Sequence, residues 1–317
     1  MKVENTRTTL PNRFVHRAAY YSSSDEALAL AAPIAKRALS RNQPVALLSS
    51  PEVEAGVREL LDGAPGLICL AMQEPMLRSS GQTVVTRRAR ELRELTDWAD
   101  AVEVIIEHGA NHSDVARSAW VEAEAAFNVA LATLPITMTC LYPSDVAAAR
   151  NAVRYNHPHL VDGAGAAREN SEVQLPAQVL ANFPAPAPAA LGMSHREMGF
   201  TPWQLIELRK AVAEAASAAG LDAERAEDFV LAVNEVASNA VEHGYGVGEL
   251  RIWQRTGQLI CEIHDKGLLT DPLPGLRPPH PSNARGRGLW IARQLCDLLH
   301  VWSDSGGTHV RLQTGSA

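Results

Sequence analysis

The sequence predicts two domains of different class: an α/β domain with a parallel sheet flanked by helices, then an α+β sandwich of helices on a mixed sheet. Three observations carry this. The chain has 317 residues, about twice the roughly 150 of an average domain. In its front half, short apolar or β-branched runs alternate with longer helical patterns, the order that builds a parallel sheet. From Leu175 to Gly192, Pro176, Pro184, Pro186 and Pro188 are separated mostly by alanine, a composition that favours extended polyproline conformation over helix or sheet. The expected division is a domain over 1–174, a linker over 175–194 and a domain over 195–317.

In the front half a first strand carries His16, Tyr20 and Tyr21. Pro44 to Ser49 then precedes a helix over Pro51 to Leu61, and Leu67 to Leu70 precedes one over Val84 to Ala99. Val102 to Glu107 precedes a helix over Asp114 to Ala132, and Ile136 to Tyr142 one over Asp145 to Tyr155. Ser24 and Ser144 are the expected N-caps, because a side-chain oxygen there accepts from free amides of the next turn. Trp98, Trp120 and Phe127 are read as core aromatics. The segment after the first core strand reads LLSSPEVEAG and lacks the Gly-x-x-x-x-Gly-Lys-Ser/Thr loop, so nucleotide hydrolysis is not expected here.

After the linker, Thr201 offers an N-cap, Pro202 a first helical residue and Gln204 a capping-box glutamine, with Gly220 as the stop. Asp222 caps a second helix that runs to about Glu242 and stops at Gly244. Glu249 to Gln254 and Leu259 to His264 alternate apolar and polar residues across Thr256-Gly257, as a hairpin does. A helix over Leu289 to Leu299 and a last hairpin, Val301 to Ser303 with Thr308 to Leu312, complete the sandwich.

Composition narrows the function classes. Hydrophobic residues at 46% and charged residues at 21% are ordinary globular usage, which excludes wholesale disorder, collagen-like repeats and a coiled-coil rod. A net charge of -7 argues against a general binder of nucleic-acid backbones, so no direct nucleic-acid partner is expected. Cys69, Cys140, Cys261 and Cys296 lie far apart in apolar runs, which reads as buried free thiols in a reducing compartment and not as disulfides or a zinc site. The polar start MKVENTRTTLPNR lacks the apolar core of a signal peptide, and no run approaches 18 apolar residues. No membrane association and a cytoplasmic location are expected.

The chemistry concentrates in the back half. Phe229, Val233, Val236 and Ala240 repeat at helical spacing and define a buried stripe. Glu235, Asn239 and His243, at i, i+4 and i+8, form a second stripe about a quarter-turn away. A carboxylate there can act as a general base, and an amide oxygen is a hard ligand suited to Mg²⁺ with its phosphates. Asp265-Lys266-Gly267 ends a predicted strand, where a carboxylate can accept from an exocyclic amine and glycine lets backbone approach a planar ring. Five prolines between Asp271 and Pro281 mark an irregular segment long enough to be a lid. Arg285-Gly286-Arg287-Gly288 opens a helix whose free amides and positive end suit phosphate, with the two arginines adding charge-assisted contacts.

The boxes NEVASNAVEHG from Asn234 to Gly244, DKG from Asp265 to Gly267 and GRGL from Gly286 to Leu289 occur in that order. They resemble the GHKL (Bergerat-fold) ATPases over about residues 195 to 315. Within that superfamily the chain is most similar to the anti-sigma-factor protein serine kinases, through Asp271-Pro272 and the GRGL opening of the last helix. The resemblance implies ATP and Mg²⁺ as cofactors, with Glu235 as catalytic base and Asn239 as the Mg²⁺ residue. It implies Asp265 as the reader of adenine and His243, Gly267, Arg285, Gly286, Arg287, Gly288 and Thr308 as further nucleotide-binding positions. Leu269 stands where the fuller Asp-x-Gly-x-Gly box has its second glycine. The serine-kinase branch often lacks that glycine too, so the departure counts chiefly against a histidine kinase. A histidine kinase needs a phosphoacceptor histidine on paired helices; His195 is the only nearby candidate, and it has no long paired helices behind it.

The front half resembles the MEDS sensory domain, which looks like a RecA-type sheet without phosphate-loop chemistry. The resemblance rests on His16, Tyr20 and Tyr21, on Cys140-Leu141-Tyr142 with Asp145, and on His157-Pro158. It implies a small-molecule or protein signal at this domain. Glu107, His108 and His112, and His157 with His159, offer metal-ligand side chains but read as solvated loop histidines or caps. The implied partners are a sigma factor and a STAS-domain anti-anti-sigma factor, and a homodimer is expected from spare apolar surface at Trp203, Ile206, Leu208 and Val212. The alternatives are a non-catalytic ATP-binding switch protein and a histidine-kinase-like sensor.

Overall fold

The computed structural model describes residues 13–71, 81–109, 119–163, 165–184, 188–279 and 286–315. The chain separates into two compact units. One comprises Met1–Gln73, Ala89–Ser113 and Leu131–Gln174, the other Glu74–Arg88, Asp114–Ala130 and Leu175–Ala317.

The first unit holds seven strands: β1 (Val15–Tyr21), β2 (Val45–Leu48), β3 (Leu67–Cys69), β4 (Val102–Glu107), β5 (Ile136–Pro143), β6 (His159–Val161) and β7 (Ala167–Glu169). Their order is β3-β2-β4-β5-β1-β6-β7, parallel except for β7, which pairs antiparallel with β6. The parallel class expected from the alternation is observed. β6 and β7, three residues each, are too short to show a period. All six residues of β4 are buried, as both faces of a parallel strand must be.

The front-half helices are α1 (Ser24–Leu39), α2 (Pro51–Leu60), α3 (Gly81–Thr96), α4 (Trp120–Ala130) and α5 (Ala147–Asn156). The division between units falls inside α3, and α4 belongs to the second unit. Leu30, Ile34, Val53, Val57, Leu47 and Ile105 meet in the core of the first unit. Two caps differ from expectation. Ser23, not Ser24, caps α1 by accepting from the Glu26 amide, and the Ser24 hydroxyl donates to Glu52 instead. α5 starts from Val146 with no side-chain cap, while the Ser144 amide donates to the Tyr21 carbonyl and prolongs the β1–β5 pairing. Trp120 and Phe127 are core residues, but Trp98 is 64% exposed, because α3 ends at Thr96 and leaves it on the following turn.

In the second unit, β8 (Arg196–Phe200), β9 (Gly248–Arg255), β10 (Gln258–Asp265), β11 (Leu298–Asp304) and β12 (Gly307–Gly315) form a sheet of order β11-β12-β10-β9-β8. Every pairing is antiparallel; the mixed sheet read from the sequence is not what forms, since tight hairpins join β9 to β10 and β11 to β12. The remaining helices are α6 (Pro176–Asn182), α7 (Leu205–Ala218), α8 (Ala223–His243) and α9 (Gly288–Leu295).

α6 corrects the expectation of an extended linker: Pro176 occupies a first-turn position that lacks nothing without its amide, and Val179 and Leu180 bury their side chains. Beyond the prolines, Arg311 donates to the Ala189 carbonyl at 2.7 Å and Trp253 to the Gly192 carbonyl at 3.1 Å. Thr201 and Gln204 form the expected capping box on a short 3₁₀ turn, and Asp222 caps α8 through the Arg225 amide. α9 is shorter than expected, because Leu298 and Leu299 already belong to β11. Leu208 and Val212 are buried, so the spare apolar surface of this segment is confined to Trp203 and Ile206. Among the described residues no helix is long and apolar enough to cross a membrane.

Candidate functional site

α8 places the chemistry. Phe229, Val233, Val236 and Ala240 are all at most 2% exposed and pack with Leu250, Ile252, Ile263 and Leu312 of the sheet. That anchors the helix and sets Glu235 and Asn239 half-buried at its flank, with His243 exposed on its last turn. The first residue of α9 comes down on this flank. A methyl group built on Gly288 would lie 2.8 Å from Asn239 Nδ2 and 3.1 Å from a Glu235 carboxylate oxygen. Only glycine allows that approach without displacing both side chains.

Asp265 ends β10 with 9% exposure. Burial pushes its carboxyl above the usual range, against the opposing pull of the Gly267 amide, which donates to Oδ1 at 2.7 Å, and of the nearby His264, His243 and His309. Two glycines make room for it. A methyl on Gly244 would stand 2.6 Å from Asp265 Oδ1, and one on Gly267 would stand 2.7 Å from Oδ1 and from the His243 carbonyl. Thr308, opposite Asp265 in the β10–β12 register, donates its hydroxyl to the Gly267 carbonyl at 2.9 Å. The structure thus brings Asp265, Gly267, His243 and Thr308 to one turn. From sequence Gly244 reads as a helix stop and as the end of the first box; its close approach to Asp265 gives it a further role.

Arg287 occupies the N-cap position of α9, is exposed and makes no side-chain capping bond. The first amides of α9 therefore start beside Glu235 and Asn239 without a side-chain acceptor from the cap. Gly286 is exposed with φ at +82°. Arg285 lies outside the described residues, as do His280 and Pro281. The described part of the proline-rich segment is seated on the domain: Leu273 and Leu276 are buried, and Gly275 lies so close to the Leu289–Trp290 backbone that a methyl would come within 2.8 Å.

Residues 199–314 match the family model of a histidine kinase-like ATPase domain, and residues 15–158 match that of MEDS, the methanogen/methylotroph DcmR sensory domain. The chain joins a MEDS domain to a histidine kinase-like ATPase domain. Among solved structures, the nucleotide-free catalytic domain of histidine kinase ThkA aligns at 14% identity over 38% of this chain and 95% of that one, with a TM-score of 0.25. No curated protein matches.

The second unit also carries a buried polar network that the sequence did not reveal. Arg293 of α9 is 1% exposed, donates from Nε to the Pro274 carbonyl at 3.0 Å and from Nη2 to Gln82 Oε1. Gln82 Nε2 in turn donates to Glu122 at 3.0 Å and to the Pro272 carbonyl at 3.2 Å, and the Glu122 carboxylate also accepts the Gly81 amide at 2.6 Å. Burial pushes Arg293 down to about 10 and Glu122 upward, each offset in part by the other's charge.

His195 is not on a helix. It precedes β8, and its Nδ1 accepts the Gln254 amide at 3.1 Å. Within the MEDS match, Tyr21 donates to the His108 carbonyl at 2.8 Å and His108 stacks on Tyr142 at 4.3 Å between ring centroids. His108 is buried, not solvated, whereas His157 is the expected cap, the buried C-cap residue of α5 with Nδ1 at 3.2 Å from the Ala152 carbonyl, and Glu107 accepts both the amide and the hydroxyl of the α2 N-cap Ser50. His112 lies outside the described residues.

Proposed function

We propose that the protein is a signal-responsive anti-sigma factor and ATP-dependent protein serine kinase. In this reading it sequesters a sigma factor and phosphorylates a serine of a STAS-type anti-anti-sigma antagonist. The observation that carries it is the meeting of Glu235, Asn239 and the glycine opening of α9. Carboxylate, amide and uncapped helix amides converge where even an added methyl would displace the carboxylate and the amide. Asp265, held between Gly244 and Gly267, supports the adenine end of the same site.

These residues fit ATP with Mg²⁺. When bound, ATP would supply the phosphoryl group and Mg²⁺ the charge that neutralises it. Asn239 would hold the metal, the amides after Gly288 would face the phosphates, and Gly267 and Thr308 would keep the Asp265 turn in place. Glu235 would accept the proton of the acceptor serine. Positioning and electrostatics then carry most of the rate.

The attachment of His195 Nδ1 to the β9 backbone, on a segment without paired helices, favours serine over histidine as acceptor. The test is retrieval of the tagged protein from its native lysate with and without ATP-Mg²⁺, followed by phosphosite analysis of what co-elutes. The expected result is a sigma factor and an acid-stable phosphoserine on a STAS protein, with Glu235→Gln lowering phosphotransfer by roughly 100-fold or more. Full phosphotransfer by Glu235→Gln would remove that residue's role. Partners without phosphate would leave a non-catalytic switch, and an acid-labile phosphate on His195 would establish the histidine kinase.

A further inference from the structure

The front domain gathers three metal-ligand side chains that are far apart in sequence. His16 on β1, Cys140 on β5 and His157 just after α5 are 1%, 0% and 0% exposed. Each offers a ligand atom, and these atoms lie within 4.8 Å of one another. The sheet register explains the meeting. β1 and β5 are adjacent and parallel, with His16 opposite Met138 and Ala18 opposite Cys140. His16 and Cys140 are therefore two steps apart on one face. α5 returns the chain so that the residue after its last turn is His157, whose ring lies 4.0 Å from that of His16.

We infer that His16, Cys140 and His157 supply three donors of a tetrahedral site for zinc or a cation of similar softness. Zinc takes nitrogen at about 2.0–2.1 Å and sulfur at about 2.3 Å. A tetrahedral angle then separates a nitrogen and a sulfur ligand by about 3.6 Å, and His16 Nε2 lies 3.4 Å from Cys140 Sγ. The second histidine is oriented as a ligand should be. His157 Nδ1 lies 3.2 Å from the Ala152 carbonyl and 3.3 Å from that of Val153. Donation there places the proton on Nδ1 and the lone pair on Nε2, the outer-shell arrangement that fixes metal-bound imidazoles. One thiolate with two imidazoles selects zinc or copper over magnesium or calcium, which require oxygen. The reading of Cys140 from sequence as a plain buried thiol is thereby replaced: the spacing lacks any zinc motif because the ligands are assembled by the sheet. Such an ion would pin the two central strands to the start of β6.

The test uses the full chain, freed of metal with a chelator under reducing conditions and titrated with Co²⁺ as a spectroscopic probe. The expected result is uptake of a single equivalent, with a thiolate-to-cobalt charge-transfer band, visible bands of tetrahedral intensity, and displacement by Zn²⁺. Cys140→Ser is expected to lose the charge-transfer band and His157→Gln to weaken uptake, with far-ultraviolet circular dichroism confirming that both variants are folded. Absence of uptake by the wild-type chain, or an unchanged band in folded Cys140→Ser, would overturn the site and leave a hydrogen-bonded core pair.

Discussion

Glu103 shows how one residue can set a pH dependence. It lies on β4, is 9% exposed, and burial raises its carboxyl from 4.5 to about 7, with Arg17, Thr139, Arg37 and Arg41 pulling the other way. Because the folded chain holds this proton more tightly than the unfolded one, the contribution is complete below pH 4.5 and is lost as pH rises through 7. At 1.36 kcal/mol per unit, the loss is about 3 kcal/mol. Glu103→Gln is therefore expected to stabilise the chain at pH 8 by up to about that amount, and to flatten the stability profile between pH 5 and 7. Chemical denaturation at several pH values measures it; an equal slope in both proteins would show that Glu103 is ionised without penalty. The residues of the ATPase boxes were legible because each box is local: Glu235 and Asn239 share one helix, and Asp265 and Gly267 one turn. The trio of His16, Cys140 and His157 was not legible as a site, since its members were noted together only as carriers of a resemblance and it takes the β1–β5 register and the turn after α5 to bring their ligand atoms together. Ser23 displaced Ser24 as a cap for a similar reason, one of backbone direction that neighbouring serines do not encode.

At the scale of elements, periodicity served long segments and failed short or polar ones. α8 and the β9–β10 hairpin follow their patterns closely, whereas α6 formed inside a proline-rich stretch because two apolar side chains found a place to bury. The network joining α3, α4 and α9 carried no pattern at all, being built from one side chain on each. It supports a quantitative expectation. Arg293→Met leaves Glu122 buried with its counter-charge gone, which costs on the order of 3–5 kcal/mol. Adding Glu122→Gln to that variant is expected to recover more than half of the loss, because the stranded charge disappears with it. Urea denaturation of the two single variants and the double variant reads the coupling directly; strictly additive losses would show that the two groups do not sense each other.

For the whole molecule, length and the change of pattern near residue 175 gave two fold classes, and both are observed. What composition could not show is that the second unit draws on three separate stretches of chain. Two units with separate cores are expected to respond differently to ligand. ATP-Mg²⁺ at about 100 times its Kd should stabilise the unit that binds it by about 2.7 kcal/mol. In calorimetry one transition is expected to move and the other to stay. Gly288→Ala, whose added methyl meets Glu235 and Asn239, should abolish the movement while leaving the nucleotide-free transition nearly in place, since alanine favours the helix it opens. A shift that persists in Gly288→Ala would place the nucleotide elsewhere.

The hydrogen bond between Thr83 and the Leu299 carbonyl spans 216 positions of sequence, and this bears on how the chain is made. At 5–20 residues per second, a ribosome needs roughly 10–40 s to travel between those two residues. For most of that interval Gln82, Thr83 and Glu122 have been synthesised while Arg293 and β11 do not yet exist. The sheet that contains β11 therefore closes only after that interval, around groups that were synthesised well before it.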